Sequence, residues 1–479
     1  MQTCSIIECG RHSSFNRSML KIDTKCQQYD WGKIGNNSLV ARLAKSAGGD
    51  NFILDEKKPY AELWMGTHPS GPATVQLNSG SNAMLLSEWL KEHKETIGIV
   101  PTGYRQDDLP FMFKVLSINT ALSIQAHPDK TLAAELHASF PNIYKDPNHK
   151  PEMAIALTTF EGMNGFRPLA EINNHVDLFP EFAAIIGEDV VSQIRDITTK
   201  VSGSAGLWKD RFYSSSGMAS VEKLSADQAL LVEKALRLIM KSLLYASDAH
   251  VNPNLKAMIS RMEELQGLPA GDARRILPSI SQIILKLHKD YPGDRGVLFP
   301  LILNTIELRP GEAFYMAANE PHAYISGDIM ECMALSDNVV RAGLTPKFQD
   351  KPTLERMLVY KSAPVSYCKV STLDAFTRLY RPPVASFSEF EVEHIVVSSS
   401  QKYDVIVHPC ASIIIFTSCK KGEMDDMSFL TFAGKSIPLP SAGTVFYQYA
   451  NQPLRVQTGK GTQVEMFRAH INLGAISQM

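Results

Sequence analysis

The segment Ala121-Leu-Ser-Ile-Gln-Ala-His127 alternates, so an extended strand would carry Ser123, Gln125 and His127 on one face and Leu122, Ile124 and Ala126 on the other. If the polar face lines an interior, each group must be hydrogen-bonded, wetted or liganded, because an unpaired buried polar group costs about 1–3 kcal/mol. A metal ion would satisfy two of them. Lys150-Pro-Glu152 brings an ammonium and a carboxylate to one face of the next strand, while Met153, Ile155 and Leu157 face the other way. Singly, each piece has a plainer reading: a buried His bonded to a carbonyl, a polar strand residue, a surface ion pair.

The elements that must position these groups are predominantly strands. Period-two segments punctuated by Gly, Pro, Asn and Asp fill 52–171 and return over 296–479, the pattern of an all-β sandwich or barrel. Between them, roughly 172–295 reads as helical. Ser225-Ala-Asp-Gln228 is a capping-box start, followed by Leu231, Ala235, Leu238, Ile239 and Leu243 on one helix face. Leu255, Met258, Ile259 and Met262 form a second stripe, and Ile280, Ile283, Ile284 and Leu287 a third. The block looks like an insertion in a barrel.

An internal repeat sharpens this. Gly311-Glu-Ala-Phe-Tyr-Met-Ala-Ala-Asn-Glu-Pro321 and Gly443-Thr-Val-Phe-Tyr-Gln-Tyr-Ala-Asn-Gln-Pro453 agree at six of eleven positions without a gap. His322 follows the first copy and Leu454 the second. A duplicated fold keeping the imidazole in one copy would have one working site.

Composition excludes several function classes. With 48 Lys plus Arg against 50 Asp plus Glu, net charge gives no reason to expect nucleic acid or a membrane surface as partner. No apolar run approaches the roughly 20 residues of a membrane helix, and residues 1–18 lack the apolar core of a secretory signal, reading instead as a variable tail. Cys4, Cys9, Cys26, Cys332, Cys368, Cys410 and Cys419 are an odd set without a C-x-x-C pair, which fits a reducing, cytoplasmic location. No obligate protein partner is evident.

The Gly311-to-His322 spacing is similar to the second metal motif of the cupin superfamily, whose His is a ligand in the barrel. With Gln125, His127 and Glu152 it completes a set of two imidazoles, one carboxylate and one amide oxygen, suited to Zn²⁺. Two long segments, Tyr144-Lys-Asp-Pro-Asn-His-Lys-Pro-Glu152 and His322 through Lys347, resemble the signatures of type I mannose-6-phosphate isomerases. Tyr29-Asp-Trp-Gly32, Ala61-Glu-Leu-Trp-Met-Gly-Thr-His68 and Leu122-Ser-Ile-Gln-Ala-His-Pro128 look like the same family, and the resemblance runs from about Lys21 to the C-terminus.

The resemblance implies a mainly β fold of two cupin (jelly-roll β-barrel) lobes with an inserted α-helical domain. The expected division is a tail over 1–18, a catalytic lobe over 19–171 plus 296–365, the helical insertion over 172–295, and a metal-free second lobe over 366–479. It further implies one zinc per chain on Gln125, His127, Glu152 and His322, with Arg341 as a catalytic cation. The substrate that the resemblance implies is a phosphosugar, mannose 6-phosphate exchanging with fructose 6-phosphate through an enediolate and feeding GDP-mannose synthesis. Lys114, Ser123, Lys150, Tyr324 and Lys347 are expected to grip phosphate and hydroxyls; the proton carrier is left open among Glu331, Asp337, His149 and Lys150. The competing readings are an Fe²⁺ cupin oxygenase and a sugar-binding cupin without turnover.

Overall fold

The computed structural model describes residues 18–75, 83–202, 224–268, 280–383, 385–422 and 427–476, so all but the last residue of the 1–18 tail, with Cys4 and Cys9, lies outside the described residues. Strands account for 31% and helices for 33% of the structure, a larger helical share than a mainly β chain implies. Three sheets of four or more strands are present among the described residues, and none closes into a barrel through strand pairing.

The ten-stranded sheet carries the sequence-predicted site. Its long strand His322–Ala334 pairs with Phe111–Ile118 on one side, with Glu152–Ala156 and Phe160–Phe166 on the other, and with Ile124–Ala126 at its start. The expected alternation holds: Met153 and Ile155 enter a core that they share with Phe113, Val115, Ile413, Tyr447 and Phe467, which binds the ten-stranded to the nine-stranded sheet. Lys114, Glu152 and Glu331 lie at the alternate positions and point to the opposite face. The nine-stranded sheet runs from Val370–Thr372 to Met84–Leu85 and takes in Met19–Asp23, which pairs with Val445–Gln448, so the start and end of the chain share one sheet.

The helical block contains six helices from Leu169–Leu178 to Ile280–Asp290 among the described residues. Ser225 and Gln228 form the capping box read from the sequence. In the helix Ala226–Tyr245, Ala235, Ile239 and Leu243 are buried as expected, but Val232, Leu236, Met240 and Leu244 are buried too, and Leu231 and Leu238 sit at the rim. The buried stripe is rotated and wider because this helix packs against several helices rather than one. No helix among the described residues is long and apolar enough to cross a membrane.

The repeat is a repeat of conformation. Gly311 and Gly443 have φ of 86° and 82°, and Asn319 and Asn451 have φ of 65° and 60°. Each copy gives a short strand, Ala313–Met316 and Val445–Gln448, and then opens a new strand at His322 or Leu454. At Gly443 a Cβ would meet the Leu43 carbonyl oxygen at 1.9 Å, so close approach as well as positive φ demands glycine.

Candidate active site

Glu152 and His322 begin two strands and His127 directly follows the strand Ile124–Ala126; the three side chains converge, and all are buried. Both imidazole Nε2 atoms stand 3.3 Å from Glu152 Oε2, without the alignment of a hydrogen bond, so that all three atoms lack a partner. His127 Nδ1 donates to the Asn338 carbonyl at 2.6 Å and His322 Nδ1 to the Glu320 carbonyl at 3.0 Å. With the proton fixed on Nδ1, each Nε2 presents a lone pair to the same point. Burial pushes His127 down to about 4, against the opposing pull of Glu152, and keeps it neutral near pH 7. Burial also disfavours charge on Glu152, but Lys150 and the two imidazoles outweigh it and hold the carboxyl well below its ordinary value. Lys150 Nζ does this from 2.9 Å on Oε1.

Three orphaned acceptors around one point fit a tetrahedral cation: N/O bonds of about 2.0–2.1 Å give ligand-to-ligand edges of about 3.3 Å, the spacing found here. Gln125 lies opposite His322 and Arg341 in the strand register, half-buried beside this cluster. The two signature segments also lock together. Asn338 Nδ2 donates to the Asp146 and Asn148 carbonyls, and Ser336 Oγ to Asp146 Oδ1 at 2.8 Å, which fixes the carbonyl that orients His127.

A second network adjoins the first. Lys114 Nζ lies 3.4 Å from both Glu62 Oε2 and Glu331 Oε2, and 4.7 Å from the centre of the Trp64 ring. Tyr324 donates to Glu331 Oε1 at 2.7 Å. Burial raises the Glu331 carboxyl against the lowering effect of Lys114, and Glu152 raises it further. Burial disfavours the Lys114 ammonium, but Glu62 and Glu331 outweigh this and raise it above its ordinary value.

The remaining expected residues are more dispersed. Arg341 is half-buried, and no ion pair engages it among the described residues; burial alone lowers its pKa. Asp337, four residues before it, does not pair with Arg341 but lies 3.1 Å from His68, whose hydrogen bond lowers its carboxyl. His149 bonds Glu389 at 2.6 Å. Ser123 is half-buried just before the strand Ile124–Ala126, and Lys347 is exposed.

Glu62, Trp64, His68 and Glu389 were not among the expected site residues. The first three had a signal, since Glu62 and Trp64 alternate within the Ala61–His68 segment. Glu389 had none, being 240 residues from His149 in the chain.

The model of the phosphomannose isomerase type I catalytic domain matches residues 19–169. Mannose-6-phosphate isomerase of Bos taurus is 39% identical over 449 residues, spanning 92% of this chain and 96% of the bovine protein. The chain belongs to the type I phosphomannose isomerase family. A second family member, from Cryptococcus neoformans, is 43% identical over 386 residues, covering 78% of this chain and 84% of its own. Among solved structures of the family, zinc-bound mannose 6-phosphate isomerase aligns with a TM-score of 0.69 at 25% identity, over 95% of this chain and all of that one. The match thus extends through the helical block and the nine-stranded sheet, well beyond the catalytic segment.

Proposed function

We propose that the protein interconverts mannose 6-phosphate and fructose 6-phosphate by proton transfer between C1 and C2 through an enediolate, using one zinc at the His127–Glu152–His322 cluster. The observation that carries this is the convergence of three unpartnered buried acceptors at zinc spacing, in a chain of this family. Gln125 would complete the ligand set. When bound, zinc would supply Lewis-acid polarisation of the sugar oxygens.

The protein groups divide the rest of the work. Arg341, a half-buried cation without a carboxylate partner among the described residues, would stabilise the negative charge that develops on the enediolate. Glu331 is suited to carry the proton, because burial raises its pKa and Tyr324 and Lys114 hold it in place. Lys150 holds Glu152 ionised as a ligand and flanks the sugar. Lys347, which is exposed, and Ser123 would grip phosphate and hydroxyls. Asp337 and His149, engaged by His68 and Glu389, shape the site from outside.

The same proposal includes the architecture: two cupin lobes over 19–171 plus 296–365 and over 366–479, with 172–295 inserted as a helical domain. The matched φ values of the two repeat copies support it. Supply of mannose 6-phosphate for GDP-mannose and a cytoplasmic location complete the reading.

A coupled assay with mannose 6-phosphate on protein of known metal content tests it. Turnover that follows zinc supports the isomerase. Oxygen uptake that follows iron, or binding of the sugar phosphate without turnover, refutes it.

A further inference from the structure

The expectation of a metal-free second lobe rested on Leu454 standing where the first copy has His322. The structure shows that the second copy nevertheless keeps an imidazole at the counterpart of another ligand. Asn319 donates its backbone N–H to the His127 carbonyl at 2.7 Å, and Asn451, its repeat partner, donates to the His408 carbonyl at 2.8 Å. Each of these histidines precedes a proline, Pro128 or Pro409. His408 is therefore the second copy's His127. The other three positions are lost, Gln125 becoming Ile406, Glu152 becoming Ser412, and His322 becoming Leu454; Ser412 pairs with Gln448 as Glu152 pairs with Met316.

Two new donors close around His408. Glu393 Oε1 accepts a hydrogen bond from His408 Nε2 at 2.8 Å, a proton that a bound metal would replace, and lies 3.6 Å from His470 Nε2; the two rings are 4.2 Å apart at 45°, against 5.0 Å and 46° for His127 and His322. His470 Nδ1 donates to the Ile471 carbonyl at 2.9 Å, and its fully buried Nε2, which makes no hydrogen bond, faces the Glu393 carboxylate, so that either a proton or a metal ion must stand between them. Such an arrangement calls for a cation between the two.

We propose that His408, His470 and Glu393 form a second, non-catalytic site for a divalent transition cation of the zinc type, rebuilt around the counterpart of a catalytic ligand. The donor set is two imidazoles and a carboxylate, as in the first site, and its edges bracket the roughly 3.3 Å of tetrahedral coordination. Arg468, which donates to Glu393 Oε2 at 2.8 Å, does not argue against a metal, because Lys150 holds the second oxygen of Glu152 in the same way. The Cys410 thiol adjoins His470 but stands outside the group of converging donor atoms. Glu393 and His470 are sealed and only the edge of His408 reaches solvent, so the site admits an ion but no sugar, and its role is structural. The competing occupant is a proton on His470: burial opposes it, but Cys410 and Glu393 outweigh burial and hold the imidazole up to about 10.

The test is a zinc titration of the full chain, stripped by a chelator and read at pH 8 against a chromophoric competitor. Two equivalents per chain are expected, with anomalous zinc peaks in a crystal both at His127–His322 and at His408–His470. His470→Gln and His408→Gln should each bind one, and His322→Ala should lose the other. Saturation of the unaltered protein at one equivalent would mean that only a proton sits between Glu393 and His470, and would overturn the proposal whether or not the variants fold. Two equivalents retained by both histidine variants would overturn it as well. Failure at this site leaves the zinc lost in His322→Ala untouched, so it is distinguishable from failure of the isomerase reading.

Discussion

The two sheets hold the same chemical groups in opposite circumstances. At matched register, Lys114 faces Glu331 in the ten-stranded sheet, and Glu393 faces Arg468 in the nine-stranded one, a buried ion pair with its charges exchanged between strands. In the first region the cluster borders groups that solvent reaches, since Gln125, Arg341 and Lys150 are only partly buried and Asp337 is 47% exposed. In the second region Glu393, Arg468 and His470 are sealed, and every oxygen of Glu393 already faces a basic side chain. Imidazoles and carboxylates at one point are thus not enough for catalysis. The first site has solvent access and, in Arg341, a cation without an ion pair among the described residues; the second has neither.

Substitutions that remove these differences should separate the regions in order of effect. His322→Ala is expected to be the most damaging, because four ligands become three, the site is underfilled, and activity should vanish together with zinc, as metal analysis beside the isomerase assay would show. Arg341→Ala should keep its zinc, since a guanidinium is no ligand, yet lose ~10²–10³ in kcat. Full activity in that variant, or loss of metal from the folded protein, would refute the role given to Arg341. Glu331→Gln should retain zinc and lower kcat by about 10², the low end for a general acid or base, with KM changed less.

A smaller effect is expected where the two sheets meet. Glu389, completely buried, accepts from His149 and Tyr104 and lies 3.6 Å from Lys130. Burial alone would raise its carboxyl, but these partners outweigh burial and hold it down at about 2 against an ordinary 4.5. A depressed folded value stabilises the protein above the ordinary value, and that contribution is lost as pH falls from about 4.5 towards 2. Glu389→Gln should therefore show a shallower loss of thermal stability with acid across that window; an unchanged slope would count against the network. The smallest effect belongs to the helical block, where Glu233 makes a half-exposed pair with Arg237 at 2.9 Å. Replacing Glu233 and Lys234 by Ala should shift stability by no more than about 0.5 kcal/mol and leave zinc content unchanged.

Local pattern in the sequence determined much of this. Alternation separated Glu152 from Met153 and Ile155, the Ser225–Gln228 capping box and its apolar stripe marked a helix, and the Gly/Asn repeat carried its backbone conformation with it. These features depend on neighbours within a few residues, where side-chain period and φ preference act directly. The convergence of His127, Glu152 and His322 could be anticipated from motif spacing, but its orphaned Nε2 and Oε2 atoms emerge only when three strands are laid side by side. The commitment of Asp337 to His68, of His149 to Glu389, and of His408 and His470 to Glu393 had no local signal at all. Partners dozens to hundreds of residues apart are chosen by strand order and register, and burial then decides which charges must be paired.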